Sequence, residues 1–87
     1  MKYKNVFDAI ADTPGEALNM KLRAELMDEI RNTIGTEAWT QTEAAKRLGI
    51  TQPRVSDLLR GKLSKFSLDT LVNMLAALGS EVEVRVA

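Results

Sequence analysis

Apolar residues along the chain recur in blocks set between capping and turn residues, and the blocks predict four helices followed by one strand. Leu18, Leu22, Leu26, Ile30 and Ile34 return every fourth position with Met27 beside them, a stripe that faces a core across roughly five turns. Thr13-Pro14-Gly15-Glu16 opens this helix: Thr13 caps, Pro14 takes the first helical position and Glu16 closes a capping box. Gly35 is the expected C′ stop. After a connection through residues 36–39, Thr40 caps a second helix over Gln41 to Leu48, with Glu43 completing a capping box, Trp39 stapling against Ala44 and Gly49 reversing the chain. A third helix starts at Thr51, tolerates Pro53 in its first turn and closes at Gly61. The fourth has Ser67 as cap, Phe66 and Leu71 as staple, and Leu68, Leu71, Val72, Leu75 and Leu78 on one face before Gly79. Met20, Met27 and Met74 fall at core-compatible spacings, and Val6, Phe7 and Ile10 suit a short helical turn. Residues 80–86, Ser-Glu-Val-Glu-Val-Arg-Val, alternate strictly, as a half-buried strand does.

The second and third predicted helices, spanning 40–61, are short and joined by the tight turn Gly49-Ile50-Thr51, which is the arrangement of a helix-turn-helix. Ala44, Ala45 and Leu48 would face Val55, Leu58 and Leu59, leaving Pro53, Ser56, Asp57 and Arg60 on the outer face. Gln52 and Arg54 stand at the protruding end, where Gln pairs with adenine N6 and N7 and Arg with guanine N7 and O6.

Charge sharpens this reading. Twelve basic and 12 acidic residues cancel over the whole chain. From Gln41 to Lys65, however, Lys46, Arg47, Arg54, Arg60, Lys62 and Lys65 oppose only Glu43 and Asp57, a net of +4 that leaves −4 elsewhere. The Lys46-Arg47 pair by itself reads as a solvated helix face.

Eighty-seven residues allow one domain, 1–87, and the absence of cysteine and histidine removes disulfides, thiolate or imidazole metal sites and the commonest general base. No enzyme, metal or cofactor is therefore expected. Asp28 and Glu29 are neighbours on a helix and diverge by about 100°, as exposed charges rather than a cation site. Trp39, ahead of a cap, suits a staple or core contact better than stacking on a base. No run of apolar residues is long enough for a membrane span or export signal, so a cytoplasmic protein without a membrane partner is expected.

Residues 40–62, TQTEAAKRLGITQPRVSDLLRGK, resemble the Cro/C1-type, or XRE-family, helix-turn-helix. Within them Gln52-Pro53-Arg54-Val55-Ser56-Asp57-Leu58-Leu59-Arg60-Gly61-Lys62 is similar to the HigA-type antitoxin branch, and the likeness runs on through Lys65 to Leu71 and the closing strand. The resemblance implies an all-α, lambda-repressor-like domain of four or five helices, a homodimer, a palindromic operator in its own promoter and, in many members, a small ribonuclease toxin encoded alongside. Gln41 matches the family's phosphate-contacting glutamine, with Thr42 beside it, and Gln52, Pro53 and Asp57 match base-reading positions of related phage repressors. Pro53 lacks a side-chain donor and Asp57 is an anion, so base reading is expected to shift toward Gln52, Arg54 and Ser56. Asp57 would then orient Arg54 or Arg60, or else accept from a cytosine N4, while Arg60, Lys62 and Lys65 clamp phosphates.

The strand needs a neighbour. Two copies paired antiparallel about Glu83 would set Glu81 opposite Arg85 and Val82 opposite Val84, with Val86 continuing the apolar face. Residues 1–6 or another protein's sheet edge are the alternatives. The sequence thus leads to a DNA-binding repressor dimer. Its rival is an interaction module that chiefly masks a toxin, its acidic remainder meeting a basic partner.

Overall fold

The computed structural model describes residues 14–80 and residue 82. Among the described residues four helices run in order: α1 (Pro14–Glu37), α2 (Gln41–Leu48), α3 (Gln52–Leu59) and α4 (Leu68–Ala77), with a 3-10 turn over Leu63–Lys65. The described residues contain no strand and no helix long and apolar enough to cross a membrane. Thr13, the turn expected around Val6, Phe7 and Ile10, and Glu81, Glu83, Val84, Arg85 and Val86 lie outside the described residues.

The starts of α2, α3 and α4 follow from their caps. Thr40, Thr51 and Ser67 each adopt extended backbone and accept the amide three residues on, satisfying donors that the first turn leaves without an intrahelical acceptor. Of the capping box expected at α2 the Thr40 half is present, Glu43 N–H donating to Thr40 Oγ1 at 3.1 Å, and the Glu43 carboxylate accepts from Arg47 Nε at 2.8 Å.

The helix ends share one geometry: a left-handed residue followed by a 6→1 backbone bond. In α3 these are Gly61 (φ +71) and the Lys62 N–H to Asp57 carbonyl bond of 3.0 Å. In α1 the left-handed residue is Ala38 (φ 55), with Trp39 N–H donating to Ile34 O at 3.1 Å. The sequence placed this stop at Gly35, which instead lies inside the last turn. The reason is tertiary: ending at Ala38 lets Trp39 pack on the core beside buried Ile34, and that contact outweighs the local preference for glycine.

The core gathers Met27, Ile30 and Ile34 of α1, Ala44, Ala45 and Leu48 of α2, Val55 and Leu58 of α3, Phe66, and Leu71, Met74 and Leu75 of α4. The expected facing of α2 and α3 is present, and α1 lies mainly against α4. Leu18 and Leu22, read as part of the core stripe, are only half-buried. At 1.5 Å per residue the 24-residue α1 is more than twice as long as the ten-residue α4 it packs on. Ser80, read as the first strand residue, belongs to the stop of α4, donating its N–H to Leu75 O at 3.0 Å. Val82 then packs on the core.

Two substitutions test the account of the α1 stop. A Cβ added at Gly35 meets nothing within 4 Å, so Gly35→Ala should stabilise by about 0.5–1 kcal/mol. Ala38→Gly relieves left-handed strain and should stabilise by a similar ~0.5–1 kcal/mol. Urea unfolding reads both; a loss of stability in Ala38→Gly would contradict this assignment of the stop.

Candidate nucleic-acid interface

Val55 and Leu58 fix α3 to the core, and the 100° step per residue then turns Pro53, Ser56, Asp57 and Arg60 outward. Pro53 and Arg60 are exposed there, and Ser56 and Asp57 are half-buried. Gln52 and Arg54 occupy the two flanks of this strip, and each is held by a different neighbour.

Gln52 leans toward α2, where its Nε2 donates to Thr42 Oγ1 at 3.1 Å. A primary amide has two N–H donors and a carbonyl acceptor, so one N–H and Oε1 remain to meet a base edge. Thr42 thus sets the direction of Gln52, and exposed Gln41 adjoins it on the first turn of α2.

Arg54 leans the other way. Its guanidinium lies 4.4 Å from the centroid of the Phe66 ring and donates to Lys65 O at 3.0 Å. The sequence assigned it to base reading, but in the folded chain its planar group is stacked and bonded within the protein. From the far side Arg23 of α1 donates to Leu63 O at 3.1 Å and Phe66 O at 3.3 Å, while its Nε is held by Asn19 Oδ1 at 2.7 Å. Two arginines therefore take up the Lys65 and Phe66 carbonyls, and Arg23 adds a second bond to Leu63 O, which already accepts the Phe66 N–H at 3.1 Å. Arg23 escaped the sequence reading because its partners lie 40 and 43 residues away.

The braced segment follows Lys62 and carries Lys65. Both lysine Nζ atoms lie 3.6 Å from the Asp57 carboxylate, one on each oxygen. Asp57 was expected to orient Arg54 or Arg60; its ion-pair partners are instead the two loop lysines, because the chain turns back at Gly61 and brings them over the end of α3. Arg47, with Lys46 part of the basic run on α2, is engaged by Glu43 and lies 4.8 Å from the Trp39 ring centroid. The structure thus joins Thr42 to Gln52 at one end of α3, and Asp57 to Lys62 and Lys65 at the other.

The helix-turn-helix domain family matches residues 9–87. A solved structure named for the XRE family of transcriptional regulators is 35% identical, covers 83% of this chain and 81% of its own, and superposes with a TM-score of 0.75. The chain belongs to the XRE-type helix-turn-helix family. No curated protein matches it. In this XRE-type domain α2 and α3 form the helix-turn-helix, with α3 as the second, outward-facing helix.

Arg54→Ala should cost about 1–2 kcal/mol in urea unfolding, from a lost cation–π contact and a backbone acceptor left without its donor. Arg54→Lys should recover less than half of this, since an ammonium neither stacks nor forks. Hydrogen exchange at the amides of residues 63–66 should quicken in both. Unchanged exchange would remove the bracing role.

Proposed function

We propose that this chain is a sequence-specific regulator of transcription that binds double-stranded DNA through the outer face of α3. The observation that carries the reading is the division of labour around that helix: Gln52 is aimed by Thr42 at one end, and two lysines stand on a braced backbone at the other. Gln52 and Ser56 read base edges, with Pro53 making apolar contact. Gln41, Thr42, Arg60, Lys62 and Lys65 hold phosphates and fix the register. Arg54 supports the loop instead of reading guanine. The reading requires no catalysis and no cofactor, and it sets the protein to work in the cytoplasm, on DNA.

The finer part of the proposal is a homodimer on an inverted repeat, its half-sites roughly 34–36 Å apart, acting as repressor of its own operon. The alternation of residues 81–86 supports pairing of two copies, and the small core of a short chain gains from a second one. Antitoxin activity is a further element. It is supported by the likeness of residues 52–62 to the HigA branch and by the net −4 outside the basic segment, which complements a basic toxin. A neighbouring gene for a small basic protein, and co-purification of its product, would favour it.

Selection from random duplex DNA at two salt concentrations should yield an inverted repeat. Gln52→Ala should then cost roughly 1–3 kcal/mol at one base position, and Arg60→Ala should weaken all duplexes alike and flatten the salt slope by about 0.9. Equal losses on operator and random DNA in both variants would overturn these roles. Removal of residues 83–87, which leaves the stop of α4 intact, should convert dimer to monomer in sedimentation; an unchanged mass would exclude strand pairing.

A further inference from the structure

We propose that Asp57 determines specificity as an electrostatic filter, holding Lys62 and Lys65 on its carboxylate in a cluster whose charge it halves, and which opens fully onto phosphate only where the DNA offers that carboxylate a base-edge donor. The inference rests on the DNA-binding reading above and assigns a role to the one residue that reading leaves unexplained, an anion on the outward side of the helix that faces DNA.

The geometry carries it. Both lysines reach the same carboxylate, at 3.6 Å each, and Asp57 is the shielded member, with 17% of its side chain exposed against 39% for Lys62 and 52% for Lys65. The backbone beneath them is fixed. Lys62 N–H donates to Asp57 O at 3.0 Å, Arg54 holds Lys65 O, and Arg23 holds Leu63 O and Phe66 O. Only the flexible lysine stems are free to swing, so a phosphate approaching this end of α3 must compete with Asp57 for both ammonium groups and also meets the carboxylate itself.

On a non-cognate duplex that cost is not offset. At a site where a cytosine N4 amine donates to Asp57, the carboxylate is satisfied by the base and the lysines turn to the backbone. Cytosine is the base whose major-groove edge presents a donor and no acceptor. The same carboxylate therefore lowers affinity for random DNA and favours one base at one position.

Binding of wild type, Asp57→Asn and Asp57→Glu is compared on random duplex and on the duplex selected by wild type. Asp57→Asn should bind random duplex roughly 3- to 10-fold more tightly at about 50 mM salt, lose the preference for cytosine at one position and lower the operator-to-random ratio at least ~10-fold. Asp57→Glu keeps the charge but displaces the carboxylate by one methylene; it should retain weak random binding while losing the cytosine preference. An Asp57→Asn variant that binds random duplex no more tightly than wild type would overturn the filter and leave the regulator standing. Failure of wild type to select any sequence would remove the regulator reading and the filter with it.

Discussion

Burial of Phe66 is the constraint on which the interface depends. Its ring is almost fully enclosed, the largest side chain to be so among the described residues, and it draws the chain between α3 and α4 down onto the core. A backbone pulled against apolar side chains cannot leave its carbonyls without donors. Phe66 and Lys65 find theirs in Arg23 and Arg54, Leu63 adds Arg23 to the Phe66 N–H it already accepts, and Arg54 also lies across the buried ring. The loop that carries charge is consequently positioned by an apolar residue.

Much of the fold was legible because it is written locally. Thr40, Thr51 and Ser67 begin helices through bonds to amides three residues away, and Gly49, Gly61 and Gly79 end them within a single turn. Such signals need no knowledge of the remaining chain. Gly35 shows the boundary of that logic: it carries the same local signal, yet the helix continues until Trp39 can reach the core. Where burial and turn chemistry disagreed by three residues, burial of the larger side chain decided.

The candidate interface was legible as a set of residues and much less so as a set of contacts. The outward strip of Pro53, Ser56, Asp57 and Arg60 follows from helical periodicity once Val55 and Leu58 are known to face inward. The roles of Arg54 and Asp57 depend on the path of the chain after Gly61, and no period encodes that path. Arg23, on a different helix, had no sequence signal to connect it with residues 63 to 66. Ion pairs and stacking between elements are settled by tertiary geometry, which a single sequence leaves open.

The braced turn between α3 and α4 also has a thermodynamic consequence. Segments that fold as they meet a ligand bury apolar surface at that moment and announce it by a large negative change in heat capacity. Here Phe66 is already buried and the carbonyls around it are already bonded. Association therefore orders little of this turn beyond the lysine stems, and the entropy cost of forming this end of the interface was met when the chain folded. At this turn the calorimetric signature of binding is left to the DNA, to its hydration and to the ions it releases.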